Sequence, residues 1–427
     1  MLKESKGTKD RRMGKERMFK RSGALMFFLV LTVALSVAAQ GVMPGSAAAK
    51  DKIRIGCAIS LSGMNAVPAQ VSQVTEYKLW AEQLNADGGL YVKEYGKKLP
   101  IELIFYDDNS NIETCTKMVE KLIVQDKVDL MLPPWGTAFN FAVAPLVSKY
   151  GYVMIGSTIS SAKFKEIAQK APYFFIILNQ PQKQAKGLAD LLQDVGVKSA
   201  AVVYVADLFG LEHSGSIKPL LKKAGIKTPI FKSYPLGVND LSPLIKRIKA
   251  EKVDAVVAYS YPDSTFLITK QMIALNYNPK LLFLGVGQHF PDYRDAFGVQ
   301  TVQGVMGLGC WNPKVPAPGA KEFFDAYVKK WGKEPPRWGE ASSFAAVQIM
   351  QQAIEKTGSL DQKKMREVIA TDSFPTVIGE IKFVDGVNPN YPGEVGQWQS
   401  SEYEIVSPKD KRTAQPIYPK PKWPKKK

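Results

Sequence analysis

The stretch that decides the fold lies between Asp129 and Ser161. It begins Asp129-Leu130-Met131-Leu132-Pro133-Pro134-Trp135-Gly136-Thr137 and continues through the apolar run Ala138 to Val147. It ends Tyr152-Val153-Met154-Ile155-Gly156-Ser157-Thr158-Ile159-Ser160-Ser161. Each half is a short apolar strand that ends in small hydroxyl residues, and the run between them reads as a helix. Strand ends that open into hydroxyls and free backbone N–H groups, near helix starts, suit a small anion. Taken alone, the same pattern equally describes two ordinary βα turns.

The chain on either side repeats the alternation. Before it, Ile53 to Ile59 reads as a strand, Ala69 to Asn85 as a helix and Ile101 to Tyr106 as a strand. Ile112 to Gln125 is a helix with Cys115, Met118, Val119, Leu122 and Ile123 on one face. Asp87-Gly88-Gly89 stops the earlier helix. A second run of strands and helices follows Tyr173 to Leu178 and reaches the strand Leu281 to Gly285, with Asp240 as a cap for the helix Leu241 to Ala250. The helices Ala320 to Trp331, Ala341 to Thr357 and Gln362 to Ala370 come next. Strands at Ile378 to Phe383 and Gln397 to Val406 close the pattern. The fold class is α/β: two doubly wound lobes, each a parallel sheet covered on both faces.

The N-terminus is read as an address rather than as fold. Lys20-Arg21 precede an apolar run from Ala24 to Ala39, and small residues end at Ser46-Ala47-Ala48-Ala49. That order is a secretory signal over residues 1–49, with cleavage expected after Ala49. A membrane anchor is the other reading, but the run is short and Gln40-Gly41 and Pro44-Gly45 interrupt it. The expected location is the periplasm or another extracytoplasmic space.

The formal charge of +17 resides mainly in the two ends. Basic charge sits in the ends and not in a patch with interleaved aromatics, so a nucleic-acid partner is disfavoured. The basic Pro/Lys tail, residues 408–427, is expected to be disordered. Cys57, Cys115 and Cys310 suit no metal site by spacing. Cys57, in an apolar strand, is expected to be buried; an exported chain could pair two of the three. No cofactor motif is present.

Several segments in order resemble a known family. They are Ile55-Gly56 to Leu61-Ser62-Gly63, Asn85-Ala86-Asp87-Gly88-Gly89, Tyr106-Asp107-Asp108, Pro133-Pro134-Trp135-Gly136-Thr137 with Ala142-Val143-Ala144-Pro145, Ala353-Ile354-Glu355-Lys356-Thr357-Gly358, and Gly379-Glu380-Ile381-Lys382-Phe383. The chain resembles the exported binding proteins of ABC importers, type I fold, branched-chain amino acid (Leu/Ile/Val) group, over residues 50–407. The resemblance implies lobes of 50–178 with 309–390, and of 179–308 with 391–407, joined by a hinge of three crossings. It implies a ligand carboxylate held by Thr137, with contacts from Thr158 and Ser160, and closure by Phe209 and Tyr261 from the other lobe. Trp135 beside Thr137 suits a flat or bulky ligand; its other reading is a rim tryptophan that packs the loop. The implied partners are a small-molecule ligand (an amino acid or other carboxylate) and a membrane permease, and the implied state is a monomer.

One departure bears on the ligand. Amino-acid binders of this group carry an acid in the turn after the Leu281–Gly285 strand, and here Gly287 takes its place. Asp263 or Glu340 could substitute, or the ligand could lack an ammonium group. The disulfide of some relatives is absent too: Ser110 and Gly136 stand at its places.

An exported α/β hydrolase is the rival class. A Ser-His-acid triad would have to use His213 or His289, the only two histidines. Glu212-His213-Ser214-Gly215 lacks the first glycine of a nucleophile elbow. Gly285-Val286-Gly287 leads to Phe290 where a dinucleotide loop needs its third glycine. Acids such as Asp107-Asp108 read first as strand-end caps. No enzyme activity is expected. A ligand-sensing receptor on the same fold is the remaining alternative.

Overall fold

The computed structural model describes residues 50–424. The expected signal segment, residues 1–49, lies outside the described residues. Among those described, no helix is long and apolar enough to cross a membrane.

In the first half, β1 (Ile53–Ile59) is followed by a short hairpin of β2 (Leu90–Val92) and β3 (Lys97–Leu99). Then come β4 (Ile101–Asp107), β5 (Leu130–Leu132), β6 (Met154–Gly156) and β7 (Phe174–Ile176). β1 is the centre: it pairs in parallel with β4 from Ile53↔Ile101 and with β5 from Ile55↔Leu130. β6 and β7 pair in parallel beside them. Six of the seven residues of β1 are buried, because helices cover both faces of a parallel sheet.

The second sheet has seven strands. β8 (Ser199–Val205), β9 (Lys227–Tyr234), β10 (Ala255–Tyr259), β11 (Leu281–Leu284) and β12 (Met306–Leu308) run parallel in the order β9-β8-β10-β11-β12. After the antiparallel pair β13 (Ser373–Thr376) and β14 (Gly379–Lys382), the chain returns as β15 (Val395–Gln399) and β16 (Glu402–Ser407). These two join the β12 edge antiparallel. The second sheet is therefore mixed, since a tight turn such as that at Ser400 can link only antiparallel neighbours.

The chain passes between the two sheets after β7, after β12 and before β15. These crossings are laced together. Asn179 Nδ2 donates to Glu394 Oε2 at 2.6 Å, Gly309 N to Glu394 O at 2.8 Å, and Cys310 N to Gly393 O at 3.0 Å.

Two expectations are corrected. The helix expected from Ala69 to Asn85 begins earlier and contains a π turn: Ala66–Ala69 is α-helical, Gln70–Val74 is π and Thr75–Ala86 is α-helical again. A π turn adds a residue and rotates the face, which apolar periodicity cannot anticipate. The tail from Pro408 to Pro424 is ordered. Lys420 N donates to Lys280 O, Ile417 N to Gln397 Oε1 and Trp423 Nε1 to Tyr277 O, so its backbone and its tryptophan are bonded to the second half. A basic composition predicts solvation; these partners, supplied by distant sequence, override it. Cys57, Cys115 and Cys310 are buried free thiols.

Candidate functional site

Thr137, Thr158 and Ser160 come together at one end of the first sheet. Thr137 is the first residue of the helix Thr137–Lys149, whose cap Gly136 has φ +95°. Its Oγ1 receives Ser160 N at 3.5 Å. Thr158 Oγ1 receives Gly136 N at 3.0 Å, so the turn after β6 is tied to the helix start. Ser160 Oγ donates to Asn179 O at 2.8 Å, which links the cluster to the first crossing. The first-turn N–H groups of a helix have no partner within it. Hydroxyls and amides gathered at such an end form an electropositive cradle without a buried cation.

The cradle is braced from behind. Gln73 Nε2, on the π turn, reaches Pro133 O at 3.2 Å and Ser157 Oγ at 3.3 Å. Ser343 Oγ donates to Ser157 Oγ at 2.9 Å and brings in the long helix Gly339–Thr357. Sequence reasoning missed Ser72, Gln73, Ser157 and Ser343. The available signal was polar residues on an otherwise apolar helix face, but the π turn and the 186-residue separation of Ser157 from Ser343 hid it.

Trp135 faces the other half. It is buried, its Nε1 donates to Ser72 Oγ at 3.0 Å, and its ring lies 5.5 Å from that of Tyr261. Tyr261 OH donates to Asp207 Oδ2 at 2.7 Å. Asp207 Oδ1 caps the helix Leu208–Lys223 through Gly210 N at 2.9 Å. Phe209 is buried one layer back, stacked on Tyr261 at 5.1 Å and against His213 at 4.4 Å. Tyr261 is thus the ring that reaches Trp135, and Phe209 supports it. A crevice of about 30 Å³ remains at this contact, lined among others by Met64, Pro68 and Trp135 on one side and Tyr234, Tyr261 and Ser264 on the other. That holds about one water, so admitting a solute there requires the two halves to part.

The acidic and histidine candidates have other partners. Asp107 Oδ1 accepts from Leu61, Ser62 and Asn109 N–H, and Asp108 Oδ1 from Ser60 Oγ and Ser110 N. Both hold a turn. His213 Nδ1 is 3.0 Å from Phe209 O, and burial pushes its pKa down to about 4. Among the described residues, no group of three His, Cys, Asp or Glu is placed to hold a metal.

Gly287 is sterically required. Its φ is +104°, and a Cβ there would lie 2.8 Å from Pro262 Cα. No acidic side chain can stand at that position on this backbone.

The profile of the periplasmic binding protein family matches residues 52–402. The chain belongs to that family, the solute-binding proteins of the extracytoplasmic space. It is similar to "Leu/Ile/Val-binding protein homolog 7" of Brucella suis, 24% identical over 392 residues, which cover 88% of this chain and 96% of the relative. Among solved structures it is similar to the branched-chain amino acid transporter substrate binding protein LivJ of Streptococcus pneumoniae, in complex with isoleucine. There the TM-score is 0.73 at 18% identity, with 83% of this chain and 98% of that chain covered. A solute binding protein of an ABC transporter from Rhodopseudomonas palustris BisB5, in complex with 3,4-dihydroxy benzoic acid, gives a TM-score of 0.70 at 18% identity, covering 87% and 99%. The fold is that of type I periplasmic binding proteins.

Proposed function

We propose that this chain is the extracytoplasmic solute-binding component of an ABC importer, and that it captures an amino acid or other small carboxylate between its two halves for a membrane permease. The observation that carries the reading is the hydroxyl cradle of Thr137, Thr158 and Ser160 at a helix N-terminus, opposite Tyr261 and Phe209. A carboxylate needs several charge-assisted donors before its desolvation is offset. Aromatic rings from the far half exclude water only when the halves close, which couples binding to closure. The ligands named for two structural neighbours, isoleucine and a dihydroxybenzoic acid, have a carboxylate in common and little else.

The test is a thermal-shift screen of amino acids, aromatic acids, dicarboxylates and amides. A solute that binds only the folded chain raises the melting temperature. At least one carboxylate is expected to do so. A response confined to neutral amides would remove the carboxylate reading.

A further inference from the structure

A second group of polar atoms lies beside the cradle and has no role in it. Glu340 stands in the first turn of the helix Gly339–Thr357 and is fully buried. Its Oε2 accepts from Trp338 N at 2.9 Å. Its Oε1 has no hydrogen-bond partner among the described residues. The helix Gly339–Thr357 packs on the helix Thr75–Ala86 of the first half. Facing Glu340 from the second half is His289, also fully buried, in the loop after β11. His289 Nε2 is 3.9 Å from Glu340 Oε1, beyond hydrogen-bond reach. Neither ring nitrogen of His289 has a partner among the described residues, nor does Trp338 Nε1, whose ring packs edge-on to His289 at 5.5 Å.

Buried polar atoms without partners are therefore drawn from both halves: Glu340 Oε1 stands 3.9 Å from His289 Nε2, and Trp338, its Nε1 unpaired, packs on the same imidazole. More than nine in ten buried polar groups are paired, and an unpaired buried carboxylate oxygen is costly. Glu76, buried nearby, adds to the demand: burial first, and Glu340 second, hold its carboxyl well above the usual carboxylate range.

The place is contiguous with the cradle. A Cβ set on Gly339 would lie 3.8 Å from Thr158 Cγ2 and 4.0 Å from Ser72 Cβ, so the residue next to Glu340 already touches it. Gly287, meanwhile, admits no side chain, so no acid at that position can serve a donor on the solute.

We infer that Glu340, His289 and Trp338 form a polar subsite for the end of the solute remote from its carboxylate, with Glu340 accepting an N–H or O–H donor from it. The inference rests on the carboxylate reading above and narrows it: the solute is an acid that carries a second, hydrogen-bonding group. His289 and Trp338 offer Nε2 and Nε1 to an acceptor on that same group. Because Glu340 and His289 belong to different halves, a group held between them favours closure as Tyr261 does.

The test uses matched acids that differ only in the remote donor: 5-aminopentanoic acid against pentanoic acid, and 3,4-dihydroxybenzoic acid against benzoic acid. Calorimetric affinities are measured for the full chain, for Glu340→Gln and for His289→Gln, with thermal melts of each variant. In the series that binds, the donor-bearing acid is expected to bind at least tenfold more tightly. Glu340→Gln is expected to shrink that ratio below threefold while changing the affinity of the donor-free acid less than twofold. Should Glu340→Gln not fold, His289→Gln must show the same loss of discrimination. Equal affinity within a pair, or an equal loss for both members in the variants, overturns the subsite and leaves the carboxylate reading standing. No response to any acid overturns both.

Discussion

Ser161 Oγ donates to Glu212 Oε1 at 3.2 Å across the cleft. The same carboxylate receives Ala162 N through Oε2 at 3.0 Å. Glu212 lies on the helix Leu208–Lys223 of the second half, while Ser161 and Ala162 follow the cradle residue Ser160 in the first. This acid of the second half is thus bonded to the loop that carries the cradle. Glu212→Ala should therefore weaken solute capture without removing any cradle donor, by about 1.5–3 kcal/mol for hydrogen bonds to a charged group. The loss should appear in the dissociation rate, since the contact forms after encounter. Stopped-flow fluorescence that shows an unchanged dissociation rate would remove Glu212 from closure.

Thr137 offers its hydroxyl where the helix Thr137–Lys149 begins. Thr137→Ala should cost about 1.5–3 kcal/mol of carboxylate binding, from the loss of one hydrogen bond to a charged group. The fold should tolerate it, because Thr137 Oγ1 has only a long contact, 3.5 Å, with Ser160 N. Calorimetry with any solute found by the screen decides this; an unchanged affinity places the carboxylate elsewhere.

Tyr261 connects Trp135 to Asp207 and rests on Phe209. Phe209→Ala should raise the off-rate more than it lowers the on-rate, because the aromatic layer acts once the solute is inside. Tyr261→Phe keeps the ring but loses the bond to Asp207, and should have the smaller effect. If Tyr261→Phe proves the worse of the two, the hydroxyl rather than the stacked layer governs closure.

His213 is a titration probe inside the second half. Its folded pKa of about 4 lies below its ordinary value of 6.5 because burial disfavours the charged ring. Between those values the unfolded chain binds a proton that the folded chain does not. Stability is therefore full above about pH 6.5 and falls as pH drops toward 4, by up to roughly 3 kcal/mol for this group. His213→Phe should flatten that part of the curve. Urea melts of both proteins at pH 7 and pH 4.5 check it; parallel curves would assign the acid loss to other groups.

Lys420 titrates from the tail. Burial pushes its pKa down to about 7, although Asn278 Oδ1 at 2.6 Å and the Trp423 ring at 3.4 Å both receive its charge. As pH rises from 7 toward 10, the unfolded chain keeps a proton that the folded chain releases, so stability rises over that window. Lys420→Met should remove this rise and melt no lower than the parent at pH 6. A melting temperature several degrees lower at pH 6 would show that the bond to Asn278 outweighs the desolvation.

Strand and helix periods are local, and they marked most of the strands and helices: β1 at Ile53–Ile59 and the helix at Ala320–Trp331 stand where the apolar pattern puts them. The same pattern, with the Gly-Thr and Ser-Thr turns, marked the ends where Thr137 and Thr158 meet. Four things were decided only in three dimensions. The π turn at Gln70–Val74 aims Gln73 at Ser157, and no residue period encodes it. The antiparallel pairing of β15 and β16 on β12 depends on a return of the chain across about ninety residues. The ordered tail depends on Lys280 and Tyr277, which lie far from it in the chain. The facing of Glu340 by His289 joins residues from opposite halves, and a carboxylate and an imidazole this distant in sequence acquire a shared role only when folding buries both without partners.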